Sequence, residues 1–268
     1  MSALTIRLKQ AVNQRIDMSP FTPQGLTGMR LGEMERIPLW LGKRQVAAGE
    51  LFSISGDGHT QIVIQSESDR LDRIGAGMSD GTIRVEGPAG AYLGEGMRGG
   101  LLQVSGDAGH AAGCAMSGGN LSVDGNVGDF LGGAVTGARQ GMRGGAILVR
   151  GNAGDRAGDL MRRGTLLIGG DAGDYCASRM VAGSIAVLGA CGKQTGLYMR
   201  RGTLLLSREP ASLPASFNDN GRHELAFLPL LTHSFQDPAF AALRERGSRV
   251  RRWLGDLRCG GMGEVLIW

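Results

Sequence analysis

The chain is poor in the residues that build most binding sites. Aromatic side chains make up 5% of its 268 residues, and there are only four histidines and four cysteines. The basic residues are 26 Arg against 3 Lys, with no Lys/Arg block of the kind that binds nucleic acid. Scarce aromatics and the missing basic block argue against a nucleic-acid surface, which needs a basic stripe and stacking platforms. His59, His110, His223 and His233 are scattered, and Cys114, Cys176, Cys191 and Cys259 form no C-x-x-C or other ligand spacing, so no metal site is expected. The cysteines read as small packing residues or surface thiols of a reducing compartment. No apolar run approaches the 18 residues of a membrane span, and MSALTIRLKQ lacks the apolar region of a secretion leader; a cytoplasmic protein without membrane contact is expected. No P-loop, Ser-His-Asp order or paired-carboxylate site presents itself, so no catalytic or cofactor-binding residue is named.

What the chain does have is glycine in a strict register. Between Gly75 and Leu206 a 19-residue unit recurs in seven copies, and the one that starts at Gly132 carries seven extra residues before the pattern resumes at Arg139. In each copy a Met is followed three positions later by Gly, as in Met78/Gly81, Met116/Gly119 and Met199/Gly202. An alternating aliphatic pair comes next, from Ile83/Val85 through Leu121/Val123 and Ile147/Val149 to Leu204/Leu206. Period 2 puts each pair on one face of a strand, which predicts the core. Glycine makes up 34 of residues 75–202, but with one proline and the aliphatics in register this is not a disordered segment. GEGMRG at Gly94–Gly99 fits a dinucleotide-loop string, yet LLQVSG after it reads as a strand rather than the helix such a loop requires.

A repeat of this length is one supersecondary unit stacked on its copies. A 19-residue extended coil has a perimeter of roughly 60 Å, enough for two or three short sides around a filled interior, with coils about 4.8 Å apart. The expectation is an all-β chain wound as a parallel β-helix of about seven to eight coils. Residues 49–207 form the β-helix, with FSIS and QIVIQ as strands of a preliminary coil; 1–48 form an irregular N-terminal cap with a strand at Thr5–Lys9; 208–268 form a C-terminal capping and docking segment. In the last of these, Asp237–Gly247 reads as a short helix with Asp237 as N-cap and Pro238 at its first position.

Two ladders of outward residues follow from stacking. The residue after the repeated Met is Arg98, Arg143, Arg162 and Arg200, with Arg163 and Arg201 beside the last two. Stacking brings these arginines into one row, three of them in contiguous units if the insertion leaves its coil in place. Their anions are either Asp107, Asp155, Asp159, Asp171 and Asp174 near the corners, or an acidic partner surface or anionic ligand. The second ladder is the strand's outer residue, which changes from Arg84, Gln103 and Ser122 to Leu148, Leu167, Ala186 and Leu205. That apolar stripe must be covered, by the C-terminal segment or by another subunit. Arg98, Arg143, Arg162, Arg200, Leu148, Leu167 and Leu205 are the candidate partner-binding residues.

GMRGGLLQVSGDAG, QGMRGGAILVRGNAGD and LMRRGTLLIGGDAGD, with the entry segment IPLWLGKRQVAAGELFSISG, resemble the C subunit of formylmethanofuran dehydrogenase and its counterpart in the bacterial formyltransferase/hydrolase complex. The right-handed β-helix of that family also occurs in the glutamate synthase large subunit, which leaves a glutamate-synthase-like solenoid domain as an alternative. The resemblance implies a non-catalytic scaffold that holds amidohydrolase-like and formyltransferase-like subunits. It also implies a complex using tetrahydromethanopterin and a methanofuran-type carrier, with metal in a partner subunit. In the dehydrogenase form the partners carry molybdenum or tungsten and iron-sulfur centres. The Arg-over-Lys composition favours the bacterial version, and contact between the Arg row and an anionic carrier tail is left open.

Overall fold

Pairing in the computed structural model, which describes residues 3–235 and 237–268, follows the interval set by the sequence. Strands Thr82–Glu86, Leu101–Val104, Ser117–Val123, Arg143–Val149, Arg163–Ile168, Ser184–Val187 and Arg201–Leu206 lie side by side in chain order, all parallel. The register runs Ile83, Leu102, Leu121, Ile147, Leu166, Ile185, Leu204, with the second aliphatic of each pair likewise aligned. All of these side chains are buried, and each contributes about 1.5–3 kcal/mol by leaving water.

The units are bonded beyond their strands. Ala89, Ala108, Val127, Ala153, Ala172 and Cys191 form a second file of parallel bridges. A third file runs through amides such as Gly94 to the Ile74 carbonyl, Gly113 to Leu93 and Gly196 to Cys176. The ten residues of the lengthened unit from Gly132 to Gly141 carry no helix or strand, and the next strand resumes the register. GEGMRG is a corner: Gly94 and Gly96 have φ of 64° and 62°, and the strand Leu101–Val104 follows.

The pairing of Met with Gly has a packing cause. A Cβ added at Gly119 would meet the Met97 methyl at 2.7 Å, and one at Gly183 would meet the Met161 methyl at 2.9 Å. Gly145, Gly164 and Gly202 receive the methyls of Met116, Met142 and Met180 in the same way. Each Met therefore fills the hollow above the glycine of the following unit, and both residues must recur with the same period. The φ of +81° at Gly119 and +112° at Gly183 adds a backbone reason for glycine.

Carboxylate and amide side chains join the corners. Asp107 Oδ1 accepts the Asn126 amide, Asn126 Oδ1 that of Asn152, Asn152 Oδ1 that of Asp171, and Asp171 Oδ1 that of Ala190, at 2.7–2.9 Å. A second file runs from Asp129 to Asp155 to Asp174 to Lys193 at 2.6–2.8 Å. Each bond satisfies an amide at a turn that the strands leave without a partner.

Both ends depart from plain capping. The strand expected at Thr5–Lys9 is found at Leu4–Leu8, inserted in the sheet between Gln61–Gln65, to which it is parallel, and Phe52–Ser55, to which it is antiparallel. The rest of the N-terminal segment holds the hairpin Pro38–Leu41/Arg44–Ala47, part of a separate four-stranded sheet with Ile16–Asp17 and Leu71–Asp72. At the other end Met262–Ile267 pairs in parallel with Arg201–Leu206 and continues its aliphatic files with Val265 and Ile267. Arg249–Gly255 and Asn218–Glu224 then extend the sheet antiparallel, to 13 strands. The expected helix from Asp237 is split into a 3-10 turn, Pro238–Phe240, and one α turn, Ala241–Arg244. A helix that the sequence pattern did not signal, Phe227–His233, precedes it. Among the described residues no helix is long and apolar enough to cross a membrane.

Candidate interaction surface

The outer face of the sheet keeps the order Arg84, Gln103, Ser122, Leu148, Leu167, Ala186, Leu205, and Leu266 adds one more apolar rung. Leu167, Ala186, Leu205 and Leu266 are buried under Leu228, Phe235, Phe240, Leu243 and Val250 of the C-terminal segment, and Leu148 is half-buried at its margin. Of the two covers considered for this stripe, the fold-back is the one present. Leu167 and Leu205 thus lie beneath that segment, while Leu148 at its margin keeps some exposed surface.

Arg98, Arg143, Arg162 and Arg200 do share one file. Their amides donate to the carbonyls of Met78, Met116, Met142 and Met180 of the preceding units, at 2.7–2.8 Å. Ser117 and Val181 occupy the intervening rungs through the same bond to Met97 and Met161. Only Arg143 and Arg162 are neighbours, not three in a row as expected, because unit 177–195 places Val181 where its neighbours carry Arg. All four are exposed, and among the described residues none of these guanidinium groups has an ion pair or hydrogen bond. The corner carboxylates expected to neutralise them are engaged with backbone amides instead. Asp159 is the exception, and its partner is a different arginine.

That arginine belongs to a file the periodicity did not single out, the residue just before each repeated Met. It is Gly77, Gly96 and Ala115 in early units but Leu160, Arg179 and Tyr198 in late ones, all at positive φ between 53° and 64°. A left-handed backbone costs a side-chain-bearing residue roughly 1–2 kcal/mol, so three bulky residues here displace what glycine does with less strain. The signal in sequence is this switch from small to bulky before Met.

Leu160, Arg179 and Tyr198 line a groove of about 500 Å3 with Arg162, Val181, Arg200 and Cys259, joined by Ala138 and Arg139 of the lengthened unit. Two carboxylates support it from beneath. Asp159, 1% exposed, accepts Ser178 Oγ at 2.5 Å and Arg179 Nε at 2.9 Å, and this pair raises the Arg179 pKa. Asp256, fully buried, accepts the Tyr198 amide at 3.0 Å and Arg258 Nη2 at 2.6 Å. Burial pushes its carboxyl up, but the bonds from Arg258 and the amides of Tyr198 and Arg258 outweigh that and hold it well below the usual carboxylate range. Arg258 in turn lies 4.5 Å from the Tyr198 ring centre.

A second corner file stacks Arg73, Tyr92, His110, Phe130, Arg156 and Tyr175 at centroid distances of 4.7–5.8 Å. Cys114, Cys176 and Cys191 are buried, and Cys259 is half-buried at the groove. Burial is the main cause that pushes the Cys114 thiol up to about 12. Among the described residues no group of three or more His, Cys, Asp or Glu is placed to hold a metal ion.

The GXGXG motif family model matches residues 69–221. The C subunit of the formyltransferase/hydrolase complex Fhc from Methylorubrum extorquens is 41% identical over 89 residues, 33% of this chain and 34% of that one. The C subunit of the molybdenum-containing formylmethanofuran dehydrogenase 1 from Methanosarcina barkeri is 35% identical over 98 residues, 35% of this chain and 33% of that one. These alignments span about a third of the curated relatives' length. A chain in the crystal structure of the formyltransferase/hydrolase complex FhcABCD from M. extorquens, in complex with methylofuran, superposes with a TM-score of 0.92 at 40% identity, covering 98% of both chains. The chain belongs to the GXGXG motif family, with the C subunits of formyltransferase/hydrolase and formylmethanofuran dehydrogenase complexes as its relatives.

Proposed function

We propose that this chain is a non-catalytic C-type subunit of a formyltransferase/hydrolase complex in one-carbon metabolism linked to tetrahydromethanopterin and a methanofuran-type carrier. In this role it scaffolds an amidohydrolase-like subunit and a formyltransferase-like subunit, which carry the metal and the chemistry. The observation that carries the reading is the likeness along 98% of both chains to a component of FhcABCD at 40% identity. The three hydrogen-bonded files support a right-handed parallel β-helix over 49–207, with 1–48 and 208–268 as its end segments. Such a stack suits a scaffold because each unit is fixed by its neighbours and the faces are long and rigid.

Affinity purification of the tagged full chain from its source, with mass spectrometry of the co-purifying chains and metal analysis, tests this. Hydrolase-like and formyltransferase-like chains without molybdenum or tungsten are expected. Those metals with iron-sulfur subunits would establish the dehydrogenase alternative, and amidotransferase chains the glutamate-synthase-like one.

A further inference from the structure

We propose that the groove between the insertion and the late units docks an acidic, extended segment of a partner polypeptide. The inference rests on reading the chain as a subunit of a complex. Arg139, Arg162 and Arg200, with the Asp159-paired Arg179, line one trough that among the described residues no Asp or Glu lines. The carboxylates nearest to it, Asp159 and Asp256, are buried and already matched by Arg179 and Arg258. Arg139, Arg162 and Arg200 have no ion pair or hydrogen bond among the described residues. Crowding like charges without an anion is unfavourable, and guanidinium groups on a rigid frame fit carboxylates in bidentate fashion.

The position before the repeated Met changes in character along this groove. Gly77 and Gly96 show that the corner forms without a side chain, yet Leu160, Arg179 and Tyr198 stand there only along this groove. Tyr198 is 44% exposed, and Leu257 at 53% and Met262 at 62% flank the groove residue Cys259 in the chain. Arg, Tyr and Met with apolar neighbours and no acid or Lys is the composition of a protein contact. A small anion would satisfy the arginines but leave this apolar margin in water. Arg162 and Arg200 are two rungs apart, about 10 Å along the stack, which matches an occupant lying along the rungs.

Cys259 lines the groove, and the other three thiols are buried, so its alkylation is a footprint that needs no mutation. The rate of N-ethylmaleimide labelling at Cys259 is compared between the isolated full chain and the purified complex. In parallel, tagged wild type, R162E/R200E and R162K/R200K are purified and their partner chains quantified. Expected are at least tenfold slower labelling in the complex, at least tenfold loss of one partner chain from R162E/R200E with an unchanged melting curve, and retention by R162K/R200K. Equal labelling rates overturn the proposal even if R162E/R200E fails to fold. Protection of Cys259 with undiminished retention by R162E/R200E overturns the acidic character of the occupant. A wild-type chain that purifies without partners overturns the subunit reading instead.

Discussion

Asn152 is bonded on both sides by the same chemistry: its Oδ1 accepts the Asp171 amide at 2.8 Å, and its own amide donates to Asn126 Oδ1 at 2.9 Å. A side chain from the preceding unit, 19 or 26 residues away, thus does at the corner what a strand does along the sides. Asn152→Ala leaves the Asp171 amide without its acceptor and is expected to cost about 0.5–1.5 kcal/mol. Asp171→Ala should cost a similar amount through the Ala190 amide. Urea unfolding with an unchanged slope checks both.

Gly164→Ala introduces a Cβ 2.7 Å from the Met142 methyl at a φ of +103°. About 1–3 kcal/mol of destabilisation is expected from overpacking, with the left-handed backbone adding to it. Shortening Met142 removes one of the two closest contacts, the other being the Gly145 carbonyl oxygen at 2.8 Å. The double variant with Met142→Ala should therefore be less damaged than the sum of the single variants, and strict additivity in a double-mutant cycle would show that the methyl and the glycine do not constrain each other.

Leu205→Asp places a carboxylate at a fully buried position beneath the C-terminal segment. A loss of about 3–5 kcal/mol is expected, as for an unpaired buried charge. It should fall on the fold-back first, so limited proteolysis ought to cut within residues 208–268 of the variant while residues 75–202 resist. Cleavage spread evenly along the chain would contradict this order.

The parallel sheet was legible because its causes are local and repeated. Ile83/Val85 and their successors announce strand, face and register at once, and the Arg file follows from them by spacing. What repetition did not carry stayed hidden. Asn218–Glu224 is NDNGRHE, almost wholly polar, and its strand character comes from pairing with Arg249–Gly255. Met262–Ile267 lacks the Met-Gly frame although Val265 and Ile267 fill the same files. Arg-Asp pairing between ladders was a reasonable reading of composition, but Asp107, Asp155, Asp171 and Asp174 spend their oxygens on amides. Leu160, Arg179 and Tyr198 were masked because earlier units hold Gly or Ala at that position.

Asp256 gives the fold an acid-sensitive joint between the last unit and the C-terminal strands. Its folded pKa lies below the unfolded value near 3.9, so its contribution is fully present above about pH 4 and is lost as pH falls through the lower folded value. Thermal melts of wild type should drop between about pH 4 and pH 2 more steeply than those of Asp256→Asn, which lacks this titration and starts less stable. Parallel curves would remove Asp256 from the acid response.

In the isolated native chain one thiol should react readily, Cys259, while Cys114, Cys176 and Cys191 wait for unfolding. Burial suppresses the thiolate that reacts, as at Cys114. Counting alkylated residues by mass before and after denaturant checks this; a second fast thiol would mean that the stack opens locally.

Met262–Ile267 closes the open flank of Arg201–Leu206 from more than fifty residues further along the chain. During translation the earlier units can settle on one another as each leaves the ribosome, since every partner precedes by a single repeat. The last one must hold a bare strand edge until that distant segment emerges. A stalled or prematurely ended product would therefore present a sticky half-built flank, and quality control of this polypeptide turns on a handful of residues made late.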